Sequence, residues 1–463
     1  MPTFSGKFQF SDSEGTASQG GPCRLSFEAE TLTLTPTTGT PLTLDLGDID
    51  VFLPGEYELA LTLYTGKKIL LNQFGKTFQN LCRDLLEAYR KRLLQCLLLE
   101  DLEEISRFEG TVRLESPTRA FTSPAELRLY KSNLAVLPTQ ATGLQWRFAD
   151  IDTISFDETT WTVTAESGDQ RLAITKLAKR TEEFRERLTT ATNELAQQGA
   201  EAVHGIFPFL SPDQFQQAAV LMKEGRAASL AKLRAIHPKT EKALTTNVVD
   251  AKLKPYFESL LACVPAGNYY AGFKLLRETE DQKEKEEEAL AAEAEGKDSE
   301  AAGAEGGAEG APEAPADADA NKKDEPQPIL YWFFLPLAAK PGAKFPGNLV
   351  AWEATSRSGR ATYFFRLVPP DQAPQLQDAS KSPTLIESAV RQLNRAIVLL
   401  NFRREPIYLP DDSLLVQPHF RRYAIACRKL PELVGLRSSF LGRAIHTTPA
   451  AWQKQLESYL AKA

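Results

Sequence analysis

The chain contains the same stretch twice, and this internal repeat constrains its fold more than any other feature. Residues 22–93 align without a gap on residues 124–195, with 17 identical residues in 72 positions. Agreement is densest in the first part of each copy, which ends on the tripeptide Asp48-Ile49-Asp50 or its counterpart Asp150-Ile151-Asp152. A shared spacing over this length indicates two tandem copies of one domain.

Both copies show the same order of local patterns. In the first copy, apolar and polar residues alternate from Phe8 to Leu71 between Gly, Pro and Thr turns, which is typical of antiparallel strands with one buried face. The period then changes to three or four residues, which predicts a long amphipathic helix. Under the 102-residue shift the buried stripes of the two helices coincide, with Cys82, Leu86, Tyr89 and Leu93 matching Phe184, Leu188, Ala191 and Leu195.

Six or seven short antiparallel strands followed by one C-terminal helix is an order of elements that resembles the pleckstrin-homology (PH-like) superfold. The resemblance covers residues 8–98 and 108–197. It implies an antiparallel β-barrel or sandwich in each copy, with the helix closing one open end. PH-like domains bind phosphoinositides, peptides or histones, or serve for domain packing, so the resemblance leaves the ligand open.

Residues 200–463 are predicted to form a C-terminal α+β domain, for which no family is recognised. Its predicted four-stranded antiparallel sheet consists of residues 269–276, 329–337, 349–354 and 361–368. Between the first two strands, residues 278–327 carry almost no large apolar side chain, and 281–326 contain 16 Asp and Glu against 5 Lys. This composition predicts a disordered acidic insertion within one domain. It acts either as a solubilising spacer or as a segment that docks on a basic surface.

The sequence thus predicts an α+β protein of three domains, with boundaries at 1–103, 104–199 and 200–463. Five scattered cysteines without a CxxC motif indicate a reducing compartment and argue against disulfides or zinc. The sequence shows no signal-peptide pattern and no apolar run near the roughly 20 residues that a transmembrane helix needs. We therefore expect a cytoplasmic protein without a transmembrane segment.

Phosphoinositide binding can be tested on the residues that the resemblance implies. Phosphoinositide-binding PH-like domains carry a Lys and then a basic-x-Arg pair across the first hairpin. The first copy offers Lys7 and then Arg24-Leu25-Ser26, and the second offers Arg113 and Arg119 and then Glu126-Leu127-Arg128. Neither copy contains the basic-x-Arg pair, and a phosphate clamp needs several converging cations. The sequence therefore disfavours phosphoinositide binding, and membrane recruitment is a remote alternative.

The repeated Asp-Ile-Asp tripeptide allows two interpretations. Paired carboxylates could bind a metal ion or act as acid and base. In an extended segment, however, the two Asp side chains share one face and Ile turns inward, as a turn entry requires. No His or Cys lies nearby in sequence, so the structural interpretation is favoured. The four histidines also lack ligand spacing and no catalytic motif is present. The sequence predicts no enzyme, no cofactor and no metal site.

The C-terminal region carries one charge feature that supports a hypothesis. Residues 391–443 contain nine Arg and one Lys against four acidic residues, and the Arg doublets alternate with aromatic residues. The candidate anion-binding residues are Arg403, Arg404, Arg421, Arg422, Arg428 and Lys429. Arg beside aromatic residues suits phosphate or single-stranded nucleic acid. The alternatives are a solvated, salt-bridged surface and an intramolecular seat for the acidic insertion.

The function that these patterns favour is a non-enzymatic scaffold or adaptor. It would bind protein partners through exposed sheet edges or grooves of the tandem PH-like domains. The alternative is a nucleic-acid-binding or phosphate-binding protein that uses the Arg-rich region. The sequence does not identify the partner.

Overall fold

The computed structural model describes residues 3–99, 102–117, 119–265, 269–276, 329–338, 340, 342–355, 360–417 and 420–461. The first repeat is a curled sheet of seven antiparallel strands followed by a long helix. Its elements are β1 (Thr3–Ser11), β2 (Ala17–Phe27), β3 (Thr31–Pro36), β4 (Leu42–Asp45), β5 (Ile49–Pro54), β6 (Glu58–Leu63), β7 (Lys68–Asn72) and α1 (Phe78–Cys96). The strand order is β4-β3-β2-β1-β7-β6-β5, so the first strand pairs with the last.

The second repeat forms a second curled sheet with the same order of strands, again followed by a helix. Its elements are β8 (Glu104–Glu115), β9 (Ala120–Tyr130), β10 (Asn133–Pro138), β11 (Leu144–Arg147), β12 (Thr153–Asp157), β13 (Thr162–Ser167), β14 (Gln170–Thr175) and α2 (Thr181–Ile206). Each Asp-Ile-Asp step begins in a short 3-10 turn, over Leu46–Asp48 in one repeat and Phe148–Asp150 in the other.

The residues that recur before the Asp-Ile-Asp step have the same structural role in both repeats. Thr37 N donates to the carbonyl oxygen of Pro22 at 3.0 Å, and Thr139 N donates to that of Pro124 at 3.0 Å. Paired residues of β2 and β3 also correspond to paired residues of β9 and β10 under the 102-residue shift. The shared spacing therefore reflects a shared strand register.

Beyond the tripeptide, the prediction of an alignment without gaps is wrong. Pro54 and Phe156 match under the 102-residue shift. Four residues separate Pro54 from its paired residue Leu59, whereas six separate Phe156 from its paired residue Val163. In the next hairpin, five residues separate the paired Thr62 and Lys68, whereas four separate the equivalent pair Glu166 and Arg171. The two length differences nearly cancel, so that the final helices are related by a shift of 103 residues.

The predicted helix stripe is confirmed in part. In α1, Tyr89 and Leu93 are buried as predicted, whereas Cys82 and Leu86 are only half-buried. Leu81 and Leu85 are fully buried instead, and under the corrected shift they match Phe184 and Leu188, which are also fully buried. A helix turns by 100° per residue, so an alignment error of one position placed Cys82 and Leu86 beside the buried face instead of on it.

The third region combines helices with a third antiparallel sheet. Its strands are β15 (Ala228–Ser229), β16 (Tyr270–Leu275), β17 (Ile329–Leu337), β18 (Leu349–Ala354), β19 (Ala361–Phe365) and β20 (Phe440–Ile445), paired in that order. Its helices are α3 (Pro212–Leu221), α4 (Leu230–Ile236), α5 (Lys239–Thr246), α6 (Lys254–Ala262), α7 (Ser382–Leu399), α8 (Glu405–Tyr408), α9 (Asp411–Val416), α10 (Arg421–Lys429), α11 (Pro431–Ser439) and α12 (Pro449–Leu460). The predicted four-stranded sheet gains the outer strands β15 and β20.

The acidic insertion, predicted to be disordered, falls on residues that lie outside the described ranges. The strands that flank it, β16 and β17, pair directly from Tyr270–Phe334 to Leu275–Ile329. The chain therefore leaves and re-enters one sheet between neighbouring strands, as the prediction of an insertion within a single domain requires.

The three parts of the chain pack on one another. One apolar core extends from the first repeat into the third region and contains Phe52, Tyr89, Trp332 and Ile397. The core of the second repeat is separate and centres on Phe184. Among the described helices, none is long and apolar enough to cross a membrane.

Candidate functional site

Two of the six candidate anion-binding residues form hydrogen bonds with the first repeat. Arg428 and Lys429 lie at the end of α10, which packs on α1. Lys429 Nζ donates to the carbonyl oxygen of Ile49 at 2.6 Å and lies 3.0 Å from Asp50 Oδ1. Arg428 Nη2 donates to Asp48 Oδ1 at 2.9 Å. The first Asp-Ile-Asp step is thus the docking point of α10.

The second Asp-Ile-Asp step binds basic residues of the third region in the same way. Lys223 Nζ donates to the carbonyl oxygen of Ile151 at 3.0 Å. Arg226 Nη1 donates to Asp152 Oδ1 at 2.9 Å. Both repeats therefore offer an isoleucine carbonyl to a lysine and an aspartate to an arginine, although this aspartate is the first residue of the tripeptide in one repeat and the third in the other. Sequence reasoning missed Lys223 and Arg226, although the repeated tripeptide was a signal that two equivalent sites exist.

The electrostatic environments of the two steps differ. Burial raises the pKa of Asp48, and the charge of Arg428 offsets only part of that effect. Burial alone would also raise the pKa of Asp152. There, the hydrogen bond from Gly168 N and the charge of Arg226 outweigh burial and hold the pKa below its usual range. Burial also lowers the pKa of Lys223.

Three other candidates lie near the buried ring of Tyr423 or near the first repeat. The Cζ atoms of Arg403 and Arg422 lie 5.8 and 5.1 Å from the centre of that ring, within reach of a cation–π contact. Arg421 is 45% exposed and lies 3.9 Å from Glu30 of the first repeat.

Arg404 directly precedes the short helix α8 (Glu405–Tyr408). Three of the six candidates, Arg421, Arg428 and Lys429, face carboxylates of the first repeat, as the salt-bridge alternative describes. Anion binding by the six residues stays a prediction.

The second sheet presents an open outer strand and a concave face. Among the described residues, β12 pairs with β13 alone and is the last strand of its sheet. Hydroxyl side chains such as Thr162 and Thr164 line the concave face, which encloses about 460 Å³. At its rim, Trp161 is 54% exposed and makes an edge-to-face contact with Phe156 at 6.1 Å.

A buried polar cluster lies in the third sheet. Thr362 donates to Glu353 Oε2 at 2.5 Å, and His446 Nε2 lies 3.0 Å from the Thr362 hydroxyl. Trp452 Nε1 donates to the same hydroxyl at 3.2 Å. Thr362 and Glu353 are fully buried, so the cluster joins β18, β19 and α12 rather than facing a substrate. Within the described ranges, no group of three or more His, Cys, Asp or Glu could hold a metal ion.

Comparison with known proteins adds little to this geometry. No protein-family model matches the chain, and no curated protein matches it. A solved structure described as "Structure of the Spt16D Pob3N heterodimer" matches with 14% identity over 36% of this chain and 83% of that chain, at a TM-score of 0.16. A TM-score this low carries no argument about fold or function.

Proposed function

We propose that this protein is a non-enzymatic scaffold that binds a protein partner through the second of two PH-like repeats. The PH-like assignment is supported by seven antiparallel strands in each sheet, by the pairing of the first strand with the last and by the terminal helix. This is the arrangement that the sequence resemblance implies. It does not by itself name a ligand.

The open outer edge of the second sheet carries the proposal. Along β12 the side chains of Thr153, Ser155 and Asp157 are exposed, and no described strand pairs with the far side of β12. An exposed strand edge offers unpaired backbone N–H and C=O groups, and a partner in extended conformation can pair with them.

The hairpin beside this edge supplies an aromatic anchor. The loop between β12 and β13 spans residues 158–161, one residue more than the loop 55–57 of the first repeat, and it contains the exposed Trp161. Tryptophan is enriched at the energetic centres of protein interfaces because it buries a large area with few rotatable bonds. The open edge of β12 and the indole of Trp161 together form a site for an extended segment of a protein partner.

The test compares three variants as baits for affinity purification from the native cell, with mass spectrometry of the bound proteins. Trp161→Ala removes the anchor, and Ser155→Lys places a charge on the edge strand, where lysine opposes further pairing. Tyr57→Ala is the matched control, because Tyr57 is 74% exposed in the corresponding hairpin of the first repeat.

We expect one partner to bind the wild type and Y57A but neither W161A nor S155K. Amide hydrogen exchange in the purified complex should then show new protection in β12. Equal recovery of every bound protein by all four baits would contradict the proposal, and so would a bound partner that leaves β12 exchange unchanged.

A further inference from the structure

A cavity of about 80 Å³ lies where the second repeat meets helices α7 and α11. Three arginines from separate elements line it: Arg119 from the β8–β9 connection, Arg147 from β11 and Arg395 from α7. By the same measure one water needs only about 10–15 Å³. The cavity can therefore hold a group considerably larger than one water molecule.

The three guanidinium groups have few partners around the cavity. The side chains of Arg147 and Arg395 are 12% exposed, and each Nε lies 3.9 Å from the same Asp150 oxygen. That distance is too long for a hydrogen bond. Arg147 Nη2 donates to the carbonyl oxygen of Gly225 at 3.0 Å. Its Nη1 is buried and has no hydrogen-bond partner within the described residues.

The other two arginines reach backbone or hydroxyl oxygens. Arg119 Nη2 bonds to the carbonyl oxygen of Thr142, and burial lowers the Arg119 pKa. Arg395 Nη2 bonds to the hydroxyl of Ser167. With Asp150 and Glu432 also in the lining, the cavity holds three positive and two negative charges. Three cations against two carboxylates leave an excess of one positive charge in a partly buried place, and this excess favours an anion in the cavity.

We propose that this cavity binds a small, soluble, phosphate-type oxyanion. Guanidinium forks match the oxygens of a tetrahedral oxyanion, and several of them converge here from different directions. Of the three arginines, only Arg119 was considered for phosphoinositides, and Arg147 and Arg395 lie outside those positions. Leu430 and Pro431 of the third region form part of the wall, so the site belongs to the assembled chain and not to the repeat alone.

The experiment titrates inorganic phosphate into the full chain at constant ionic strength and follows thermal unfolding and binding heat. We expect phosphate to raise the melting temperature of the wild type relative to chloride. Arg147→Gln should weaken phosphate binding by at least about tenfold, because one charged partner is lost. Arg171→Gln is the matched control, since Arg171 is 55% exposed on the concave face of the same repeat.

A second readout separates lost binding from lost folding. In phosphate-free buffer R147Q should stay folded and unfold cooperatively, because Asp150 keeps Arg395 beside it and the carbonyl oxygen of Gly225 keeps a hydrogen bond from Asn394. Equal stabilisation of the wild type and R147Q by phosphate would overturn the proposal, as would the absence of any phosphate effect on the wild type. A parallel arm uses vesicles that contain phosphatidylinositol bisphosphate. Vesicle binding that R147Q abolishes would overturn the assignment to a soluble anion.

Discussion

The two repeats carry opposite charges at one equivalent position. Asp45 and Arg147 are 102 positions apart, and each directly precedes the short 3-10 turn that begins the Asp-Ile-Asp step. The Asp45 side chain accepts a hydrogen bond from Gly47 N at 2.7 Å and two more from Arg92, at 2.9 and 2.8 Å. Arg147 makes no capping bond, and its Nη1 has no hydrogen-bond partner within the described chain.

The helix residue that pairs with Asp45 also differs between the two repeats. Arg92 lies on α1, and the 103-residue shift of the helices places Leu195 at the equivalent position of α2. The first repeat therefore closes this site with a buried bidentate ion pair, whereas the second leaves a cation facing a cavity. The same backbone holds a structural contact in one copy and a candidate binding site in the other.

Breaking the Arg92–Asp45 ion pair of the first repeat should have the largest effect on the free energy of unfolding. Arg92 is 2% exposed, and Arg92→Met leaves the carboxylate of Asp45, itself 10% exposed, without its main partner. Breaking a buried pair from one side costs about 3–5 kcal/mol. Urea denaturation should show a loss of that order in the free energy of unfolding. Arg83→Met, at a site that is 71% exposed, is the control and should change stability little.

Lys429 and Lys223, which bind the first and the second Asp-Ile-Asp step, provide the next comparison of stability. Lys429 is 2% exposed and donates to the carbonyl oxygens of both Gly47 and Ile49. Lys223 donates to the carbonyl oxygen of Ile151. Leaving buried acceptors unpaired costs about 1–3 kcal/mol. We therefore expect Lys429→Met to lower the urea midpoint more than Lys223→Met does. The reverse order would show that the second repeat, not the first, is the stronger anchor of the third region.

The aspartates of the two docking steps should respond to pH with opposite signs. The pKa of Asp152 is lowered in the fold, so its ionised form stabilises the protein above the usual Asp pKa of about 3.9, and this contribution is lost as pH falls below that value. The pKa of Asp48 is raised, so stability is lost as pH rises through 3.9 and above.

These opposite signs can be read from two variants. As pH increases, the free energy of unfolding of the wild type should rise relative to that of Asp152→Asn. Over the same pH range, the free energy of unfolding of the wild type should fall relative to that of Asp48→Asn. Urea unfolding between about pH 3 and pH 7 measures both slopes. Slopes of the same sign for the two variants would contradict the contrast between the steps.

The sequence allowed the first half of each repeat to be predicted correctly because Pro22, Thr37 and the tripeptide occupy fixed points of the strand register. The later hairpins could not be placed in the same way. The second repeat has two extra residues in one hairpin and one fewer in the next. An alignment without gaps still matches Gly66 with Gly168, because both are turn glycines with positive φ. Matching residues in turns therefore concealed a change of length that only strand pairing reveals.

The docking sites were harder to predict than the strands. The favoured interpretation of the Asp-Ile-Asp step as structural agrees with its contacts, but its partners lie far away in sequence. Lys223 is 72 residues from Ile151, and Lys429 is 380 residues from Ile49. Charge counting placed Lys429 in an anion-binding patch, because a count of charges cannot show which carboxylate faces each cation.

A substitution in the exposed hairpin between β12 and β13 should have the smallest effect on stability. Replacing Trp161 tests whether the indole supports the fold or is available to a partner. The Trp161 φ of +52° is a left-handed conformation that costs a non-glycine residue about 1–2 kcal/mol. Glycine adopts this conformation without strain, although it loses more chain entropy on folding. We expect Trp161→Gly to keep the wild-type free energy of unfolding within about 0.5 kcal/mol. Trp146→Ala in β11, where the ring is 6% exposed, should cost about 3–5 kcal/mol. A large loss in W161G would mean that the indole supports the hairpin through Phe156, and its exposure would then no longer indicate a docking site.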